Sequence, residues 1–403
     1  SDWLARSLVE RGFREAGPGE ALVYILNTCS VREKPEHKVY SAIGRLRPFL
    51  RERPEAFVAV GGCVAQQVGE SIFKRFPEVR LVFGTDGIRG APEAIARLCS
   101  EPYLRLSLVD FSEIYPERDL PLAGYGAEGG GPPSAAFVNI MQGCDNFCSY
   151  CIVPFVRGPQ KSRTPEAVLA ECRALVARGV AEITLLGQNV NSYGQDRPEG
   201  GPGGGVSFAA LLREVAAIPG LARLRFVTSH PKDIAAEVIG AFAELDCLCP
   251  RLHLPLQSGS DRILKAMGRK YTVERYLDVV RRLREARPDM QLSTDIIVGF
   301  PGESEADFEE TLALMDEVNF VSAFSFCYSD RPGTAASKLP FKVPAEVAGA
   351  RLEILQAKQN KRSEQIFKNM VGMEHRVLLE GRSPRQGARG ATWQGRDPYG
   401  HIV

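Results

Sequence analysis

Three cysteines lie within a stretch of eight residues: Cys144, Cys148 and Cys151. The stretch follows the apolar run Ala136–Ile140, which predicts a β-strand, so the thiols belong to a loop at a strand end. Thiolates are soft ligands that select iron–sulfur clusters or zinc. Zinc normally requires a second Cys or His pair at a short spacing, and the nearest histidines, His37 and His230, do not form one. The spacing therefore favours a cluster with three protein thiolates and one iron open to another ligand. The alternatives are a zinc knuckle and free thiols.

Length and composition are those of a globular protein with several domains. The chain has 403 residues, of which 44% are apolar, and this length corresponds to roughly two to four domains. It has no apolar run long enough for a membrane span, and its start, Ser1–Leu4, lacks the pattern of a signal or transit peptide. We therefore expect a cytoplasmic protein without a membrane partner, in which the ten cysteines stay reduced.

Residues 1–123 alternate helical and strand patterns, which predicts an α/β domain with a parallel sheet. The predicted elements are the helices Trp3–Arg14, His37–Arg51 and Ala91–Leu98 and the strands Leu22–Leu26, Phe57–Val60 and Val79–Phe83. Cys29 and Cys63 follow two of these strands, at the edge where open α/β sheets bind ligands. Cys99 ends a helical pattern and is predicted to be structural.

The glycine- and proline-rich run Gly124–Pro133 predicts a linker. Beyond it, residues 134–366 contain six strand patterns: Ala136–Met141, Glu182–Leu186, Arg223–Val227, Arg251–Leu256, Gln291–Val298 and Val321–Tyr328. Helical patterns alternate with them: Pro165–Arg178, Phe208–Ile218, Asp233–Leu245, Val273–Ala286 and Glu305–Val318. This alternation predicts a partial TIM-like (β/α)6 barrel with its chemistry at the carboxyl ends of the strands.

The C-terminal part is basic, although the whole chain carries a net charge of only +1. Nine Lys or Arg but three Glu occur between Lys358 and Arg396. Such a segment suits contacts with nucleic-acid phosphates, but a solvated helix face and loop would have the same composition. The pattern Ala345–Gln365 predicts a long helix, and residues 370–403 then begin a β-rich domain that the chain does not complete.

Five groups of motifs together resemble the radical S-adenosylmethionine (SAM) methylthiotransferases. They are Asn27–Lys34, Gly62–Ala65, Gly143–Cys151 with Arg157–Gly158 and Ser162–Arg163, Leu186–Val190, and Thr294–Glu303. The resemblance covers nearly the whole chain. It implies an N-terminal methylthiotransferase domain, a radical-SAM barrel and the start of an RNA-binding TRAM domain near Glu374.

The resemblance also implies two [4Fe–4S] clusters. The three loop cysteines would hold the first, and its open iron would bind SAM. An auxiliary cluster would use Cys29, Cys63 and a third cysteine, which the family has in a Gly-Cys-Gln motif just upstream of the segment that resembles Ser1–Asp2. We therefore expect the chain to begin after that cysteine and the auxiliary cluster to lack one ligand.

Candidate SAM contacts come from the same resemblance. They are Tyr150, Gln188, Asn189, Ser229, His230, Asp295, Gly299, Gly302 and Glu303. The backbone of Tyr150 is expected near the adenine of SAM, and the glycines of the turn 299–303 permit close backbone approach. Asp295 has an equal alternative, since it would also suit a cap or a pair with a buried neighbour.

The implied reaction is methylthiolation of RNA. One SAM would yield the radical that removes hydrogen from carbon 2 of an adenine, and a second SAM would methylate the sulfur held at the auxiliary cluster. The motifs Val31–Lys34 and Asp145–Phe147 favour the branch that acts on N(6)-dimethylallyladenosine beside the tRNA anticodon. Other branches modify a ribosomal-protein aspartate or threonylcarbamoyl-adenosine in tRNA, and a non-catalytic iron–sulfur RNA-binding protein is the alternative of another class. We expect a monomer that meets the tRNA anticodon loop and an electron donor such as flavodoxin or ferredoxin.

Overall fold

The structure, a computed structural model, describes residues 2–29, 35–117, 134–197, 205–227, 229–383 and 392–403. Its chain divides into two units. The first comprises Ser1–Glu128, Gln142–Asp145 and Ile152–Lys161, and the second comprises Gly129–Met141, Asn146–Cys151 and Ser162–Val403. The three-cysteine loop therefore contributes to both units, with Cys144 in the first and Cys148 and Cys151 in the second. The predicted linker Gly124–Pro133 lies outside the described residues.

A parallel sheet forms the centre of the first unit. Its strands are β1 (Val23–Thr28), β2 (Phe57–Gly62), β3 (Val79–Phe83) and β4 (Leu106–Leu108), in the order β1-β2-β3-β4. Its helices are α1 (Asp2–Val9), α2 (Pro35–Glu52), α3 (Cys63–Val68), α4 (Ser71–Arg75), α5 (Ala91–Ser100) and α6 (Val153–Arg157). Helix α2 packs against Val58 and Val60, whereas α1 and α5 pack against Phe57 and Ala59. A sheet covered on both faces requires strands without polar alternation, which explains the continuous apolar run in β2. The predicted α/β fold of this part is confirmed.

The first helix is shorter than the prediction Trp3–Arg14. Helix α1 ends at Val9, and the N–H of Phe13 donates to the carbonyl of Leu8 at 3.1 Å. Gly12 has a left-handed φ of +85°, the backbone conformation that commonly ends a helix. The apolar pattern misleads here because Phe13 packs on the same core as α1.

Among the described residues, eight strands lie between β4 and the C-terminal strand pair, and six of them pair in parallel within two sheets. The strands that follow β4 are β5 (Ala135–Asn139), β6 (Met141–Gln142), β7 (Lys161–Ser162), β8 (Glu182–Leu186), β9 (Arg223–Val227), β10 (Arg251–His253), β11 (Gln291–Val298) and β12 (Ser322–Cys327). Two sheets have the orders β5-β8-β9 and β10-β11-β12. A parallel bridge between Leu224 and Leu248 joins β9 to the segment before β10. The predicted alternation of six strands with helices is thus present in the described part of the chain.

Helices separate these strands. They are α7 (Pro165–Val176), α8 (Phe208–Ala216), α9 (Ala236–Glu244), α10 (Asp261–Ala266), α11 (Val273–Ala286), α12 (Glu305–Val318) and α13 (Ala345–Met370). Four of them begin after a residue whose side chain accepts a hydrogen bond from the first turn: Thr164, Ser207, Thr272 and Ser304. These N-caps satisfy amide groups that have no partner inside the helix. Helices α11 and α12 have the predicted ends, whereas α13 extends beyond the predicted Gln365.

Strand β10 is shorter than the predicted Arg251–Leu256. It ends at His253 because Pro255 has no N–H to donate to a neighbouring strand. Gln257 then adopts a φ of +73°, which turns the chain away from the strand direction. The sequence patterns also miss helix α10, whose six residues are too few to establish an apolar period.

Residues near the C-terminus pack on the amino ends of the barrel strands. The antiparallel pair β13 (Leu378–Arg382) and β14 (Trp393–Arg396) leads into a turn whose backbone carbonyls accept hydrogen bonds from arginines of β9 and β10. The bonds run from Arg223 to Arg396 at 2.7 Å, from Arg225 to Pro398 at 2.7 Å and Asp397 at 2.9 Å, and from Arg251 to Tyr399. Partly buried carbonyls require such donors, so the arginines hold this turn against the barrel.

A cavity of about 700 Å³ lies beside this turn, lined by Phe137, Thr184, His253, Phe324 and Tyr399 among others. Most of the strand residues that line it stand in the first or middle part of their strands. It therefore lies toward the amino ends of the strands, although His253 on its wall contacts Asp295, one of the predicted site residues. No helix among the described residues is both long and apolar enough to cross a membrane.

We expect Arg225→Met to destabilise the second unit by about 3–5 kcal/mol, because it removes the nearer partner of the buried Glu182, at 2.9 Å, leaves only Arg223 at 3.7 Å, and deprives two carbonyls of donors. The control is Arg213→Met, which removes an exposed ion pair with Glu244 and should cost less than about 1 kcal/mol. Urea unfolding of the cluster-free protein measures both values, and hydrogen exchange at residues 392–403 localises the loss. Equal stability of the two variants would contradict this role of Arg225.

Candidate active site

Cys148 lies in a buried and positively charged corner of the second unit. The residue is 8% exposed, and its Sγ lies 3.6 Å from Nη1 of Arg269 and 4.0 Å from Nε2 of His230. A buried negative charge requires a partner. The guanidinium of Arg269 therefore compensates the charge that a thiolate or a bound cluster brings to this corner.

Backbone hydrogen bonds fix the loop around Cys148. The N–H of Ser149 donates to the carbonyl of Met267 at 2.8 Å, and the carbonyl of Ser149 accepts from the N–H of Ala336 at 2.7 Å. The N–H of Cys151 donates to the carbonyl of Cys148 at 2.9 Å, and the Cys151 side chain is half-buried. The second and third cysteines thus stand on one ordered turn of the second unit.

Within the described ranges, no three Cys, His, Asp or Glu side chains converge as they would around a single metal ion. A [4Fe–4S] cluster is wider than an ion, and each of its thiolates binds a different iron. Cys144, which is half-buried in the first unit, is the third thiol of the loop.

Arg269 donates hydrogen bonds to several groups around the cysteine loop, although no sequence pattern singled it out. It is 4% exposed, and its guanidinium donates to the carbonyl of Pro255 at 2.9 Å and to the hydroxyl oxygens of Tyr271 at 3.1 Å and Tyr150 at 3.5 Å. Burial raises the pKa of Tyr150 well above its usual value, so the phenol near the cysteines is neutral. In the sequence, Arg269 stands in the polar stretch Met267–Tyr271 after a short helix, which is typical of an exposed turn.

Asn189 Oδ1 and Ser229 Oγ, which follow the carboxyl ends of β8 and β9, are buried polar atoms without a hydrogen-bond partner among the described residues, and both amide atoms of Asn191 in the loop after β8 also lack one. Because β8 and β9 pair in parallel, with Leu186 opposite Val227, the loops that carry these atoms leave the same edge of the sheet. The Asn189 amide is oriented by its Nδ2, which donates to Asp233 Oδ2 at 2.7 Å. A buried polar atom without a partner costs about 1–3 kcal/mol. The edge is therefore suited to a polar ligand that would supply the missing bonds.

His230 presents a neutral ring to Cys148. Its Nδ1 accepts a hydrogen bond from the backbone N–H of Lys232 at 3.3 Å, which places the ring proton on Nε2, the atom that faces the thiol. Burial, together with the positive charges of Arg269, Lys232 and Lys270, lowers the pKa of His230 to about 2. The imidazole therefore offers an N–H to the sulfur without adding charge.

The turn Gly299–Glu303 is held in shape by the Glu303 carboxylate. Its Oε2 accepts from the N–H of Gly299 at 2.7 Å and from Nη1 of Arg351 at 2.8 Å. Gly299 and Gly302 have φ values of +70° and +83°, which favour glycine. Burial raises the pKa of Glu303, while the Gly299 N–H and the Arg351 guanidinium oppose that rise. Both partners are internal, so Glu303 braces the turn, and its direct contact with SAM stays a prediction.

Asp295 and Gln188 complete the predicted contacts. Asp295 is on β11, and its Oδ2 lies 3.3 Å from Nε2 of His253, whose Nδ1 is 3.1 Å from Ser293 Oγ. The structure thus gives Asp295 the neighbouring partner that the alternative interpretation requires. Gln188 is half-buried in the loop after β8. Contacts of either residue with SAM stay predictions.

Cys29 and Cys63 leave the same edge of the first unit's sheet. They directly follow Thr28 and Gly62, which are register partners on the parallel strands β1 and β2. Gly62 has a φ of +91°, and a side chain there would collide with the carbonyl of Thr28, so glycine is required for the sharp turn into Cys63. Cys29 is exposed and Cys63 is buried. The neighbouring motif 30–34 lies outside the described residues.

Among the other cysteines, Cys172 and Cys249 are buried, Cys247 is half-buried and Cys99 is exposed. Burial raises the pKa of Cys172 to about 12 and that of Cys249 to about 11, and it also raises the pKa of Cys99 and Cys247. A thiol with such a pKa stays protonated at neutral pH and is a poor metal ligand. Burial thus favours a structural role for Cys172 and Cys249, and the structural role of Cys99 stays a prediction.

Carboxylates partly neutralise the basic C-terminal segment. Four of its nine cations form ion pairs: Lys358 and Arg362 with Asp316, Lys368 with Glu364, and Arg396 with Glu380. Arg385 and Arg389 lie outside the described residues. Exposed ion pairs are weak, so Lys368 and Arg396 remain available to a polyanion, whereas the Arg362 side chain is mostly buried. The segment is nevertheless less positive than its Lys and Arg count suggests.

Comparisons with known proteins agree along the whole chain. The family model described as Radical SAM superfamily matches residues 138–315, and that described as Uncharacterized protein family UPF0004 matches residues 1–84. The tRNA-2-methylthio-N(6)-dimethylallyladenosine synthase of Nitratidesulfovibrio vulgaris strain DP4 is 62% identical over 403 residues, which cover 100% of this chain and 88% of that protein. The chain belongs to this synthase family.

Further members of the synthase family are similar over almost their full length. The relative from Lawsonia intracellularis is 52% identical, over 100% of this chain and 88% of its own. The relative from Geobacter metallireducens is 51% identical, over 96% of this chain and 85% of its own. The predicted family and enzyme class, a radical-SAM methylthiotransferase, are therefore confirmed.

A solved structure supports the fold alone. The radical S-adenosylmethionine methyltransferase TsrM from Kitasatospora setae has a TM-score of 0.57 and 16% identity to this chain, over 84% of this chain and 66% of that one. Its identity is too low to carry residue roles. Membership of the radical SAM superfamily implies a [4Fe–4S] cluster and SAM for the synthase family.

The carboxyl edge of the second unit fits these cofactors. Its thiols provide soft ligands, and Arg269 compensates negative charge. The polar atoms without partners on Asn189 and Ser229 and the turn between Gly299 and Gly302 suit a ligand with many polar groups. All of these features except Arg269 follow the ends of strands, and the sequence motifs had identified them as candidate site residues.

We expect Cys148→Ala to lose about four irons per chain after anaerobic reconstitution, because the change removes one of three ligands of a single cluster. Cys172→Ala is the matched control, since it removes an equally buried thiol from α7 and should bind as much iron as the parent. Iron and sulfide analysis with the visible absorption spectrum measures the difference. Equal iron content in the parent and both variants would refute the ligand role of Cys148.

Proposed function

We propose that this protein adds a methylthio group to carbon 2 of N(6)-dimethylallyladenosine beside the tRNA anticodon. The observation that carries the proposal is 62% identity over 403 residues to a synthase named for this product. The names of the relatives favour this substrate over a ribosomal-protein aspartate and over threonylcarbamoyl-adenosine. The buried polar edge around Asn189 and Ser229 disfavours a non-catalytic RNA-binding protein, because such a protein has no need of a SAM site.

The cysteine loop and its surroundings would hold the cluster and SAM. Cys144, Cys148 and Cys151 are the proposed cluster ligands, and SAM with its cluster would supply the radical chemistry. Arg269 compensates the negative charge beside Cys148, and His230 directs its Nε2–H toward the same sulfur. Such second-layer hydrogen bonds orient a ligand and tune the metal that it binds.

A second set of residues would position SAM. The proposed contacts are Tyr150, Gln188, Asn189, Ser229, His230, Asp295, Gly299, Gly302 and Glu303. Support is strongest for Asn189 and Ser229, whose buried oxygens have no partner in the part of the chain that the structure describes. Glu303 supports the site through the shape of its turn.

The auxiliary cluster would sit at the edge that carries Cys29 and Cys63 in the first unit. Adjacent register positions place both residues at the ends of paired strands, which supports a shared ligand role. A cluster with three protein thiolates would need one ligand in addition to these two. The methylthio group would be delivered from this edge.

Substrate binding would combine a nonspecific and a specific contribution. Cations of residues 358–396 would attract tRNA phosphates with an affinity that falls steeply with salt, while an apolar pocket would select the dimethylallyl group. An anticodon loop suits this enzyme because its unpaired bases are accessible to a buried site.

We further propose a cytoplasmic monomer that receives electrons from flavodoxin or ferredoxin. Its parts would be a methylthiotransferase domain at 1–123, a radical-SAM domain at 134–366 and the start of a TRAM domain at 370–403.

Replacing Cys29 and Cys63 by Ala should separate the two cluster functions. We expect the double variant to cleave SAM at a rate close to that of the parent and to form no methylthiolated product. The matched control is Cys99→Ala, which alters a thiol of the same unit at the end of α5. Chromatography of 5′-deoxyadenosine and of tRNA nucleosides measures both reactions. Methylthiolated product from the double variant would show that the sulfur comes from elsewhere.

Substrate choice is tested with two tRNAs that differ only in the dimethylallyl group. We expect the full-length enzyme to methylthiolate the modified tRNA at least about a hundredfold faster, since burial of five carbon atoms stabilises binding by several kcal/mol. Nucleoside mass spectrometry measures the product. Equal rates on both tRNAs, or activity only on a ribosomal protein, would overturn the substrate while the reaction class stands.

A further inference from the structure

One buried carboxylate anchors both flanks of the three-cysteine loop in the first unit. Asp86 follows β3 and is 6% exposed. Its Oδ1 accepts from Nε2 of Gln142, and its Oδ2 accepts from Nζ of Lys161 and from the N–H of Ser112 at 2.8 Å. Gln142 stands two residues before Cys144, and Lys161 ends the segment after the loop. We call Asp86, Gln142 and Lys161 the Asp86 network.

The network is buried and has few alternative arrangements. Gln142 is 5% exposed and Lys161 is 2% exposed. Lys161 Nζ also donates to the carbonyl of Ser112 at 3.1 Å and lies 5.7 Å from the centre of the Phe111 ring. Loss of one partner would leave a buried charge without compensation, which is far more costly than loss of a surface pair. The network therefore holds the two flanks in one geometry.

The same flanks contact Cys63 and support Cys144. Cys63 packs against Ile152 and Val156 in a small buried cluster. The N–H of Cys144 donates to the carbonyl of Gly158 at 3.3 Å. Gly158 lies between Val156 and Lys161, so one short segment touches the first loop cysteine, the Cys63 edge and the network.

We propose that Asp86, Gln142 and Lys161 are positioning residues that keep Cys144 at a fixed place relative to Cys63. The inference rests on the proposed function, in which the cysteine loop and the Cys29–Cys63 edge must act on one substrate atom. Reactions that join two groups depend steeply on their relative placement. The network touches neither thiol, and its effect passes through the backbone of residues 142–161.

Hydrogen exchange of the full-length protein before cluster reconstitution tests the placement directly. We expect Lys161→Met and Gln142→Met to speed exchange of the amides between Gly143 and Lys161 by roughly tenfold to a hundredfold, the loss expected for a hydrogen bond to a charged group. Arg80→Met is the control. Arg80 is a buried cation of the same unit that donates to the carbonyls of Leu98 at 2.8 Å and Leu104 at 3.2 Å. It should loosen residues 98–104 and leave the loop unchanged. Unchanged loop exchange in both network variants would overturn the proposal.

The reconstituted enzyme provides the functional readout. We expect Lys161→Met and Gln142→Met to lower the ratio of methylthiolated tRNA to 5′-deoxyadenosine about tenfold, with the KM for SAM unchanged. The reason is that SAM cleavage in a misaligned site would less often lead to methylthiolated product. Arg80→Met should keep the parental ratio even if it lowers stability. A parental ratio in the network variants, or an equal fall in Arg80→Met, would refute the positioning role. If the parent protein forms no methylthiolated product, the proposed function is refuted. The hydrogen-exchange comparison would then still test whether the Asp86 network fixes the geometry of the loop.

Discussion

Parallel pairing of neighbouring strands determines where the functional groups of this protein lie. Hydrogen-bonded parallel strands run in one direction, so the loops after their carboxyl ends emerge along one edge of the sheet. In the first unit, the partners Thr28 and Gly62 bring Cys29 and Cys63 to such an edge. In the second unit, β5, β8 and β9 bring the cysteine loop, Asn189 and Ser229 to another. Residues far apart in sequence therefore meet without any local pattern that joins them.

Buried charges are satisfied in three different ways in this chain. Arg269 faces a thiol, two phenols and a backbone carbonyl. Lys161 faces a carboxylate, and Arg225 divides its donors between Glu182 and the carbonyls of the C-terminal turn. Each arrangement offsets a desolvation cost of several kcal/mol. Arg269 differs from the other two because its partners include a cysteine thiol of the proposed cluster loop, and not only oxygens of the protein.

The sequence predicted best those elements whose pattern is local. Strands Val79–Phe83, Glu182–Leu186 and Arg223–Val227 have the predicted ends because each is a short stretch with at least three apolar residues, a local pattern typical of a buried strand. The end of α1 was wrong because a turn, not the apolar period, ends that helix. The candidate cysteines were recognisable from spacing, and the motifs gave the family.

Other parts of the site have no signal in a single sequence. Arg269 reaches Cys148 across 121 positions, and Asp86 reaches Lys161 across 75. Neither side chain belongs to a motif that spacing would reveal. Such pairs exist only because the sheets bring distant loops together, so they are found from coordinates and not from composition or periodicity.

The division of the cysteine loop between two units has a consequence for synthesis of the protein. The first unit needs residues 142–145 and 152–161, which leave the ribosome well after its sheet strands. Until they emerge, the surface around Cys63 that later packs on Ile152 and Val156 has no cover. Domains generally fold in the order in which they are made. Here the first unit is complete only after residues 142–161, which include the first residues of the second unit's cysteine loop, have been made. The nascent chain therefore exposes a thiol-bearing apolar surface for the time needed to make about a hundred residues, at roughly 5–20 residues per second.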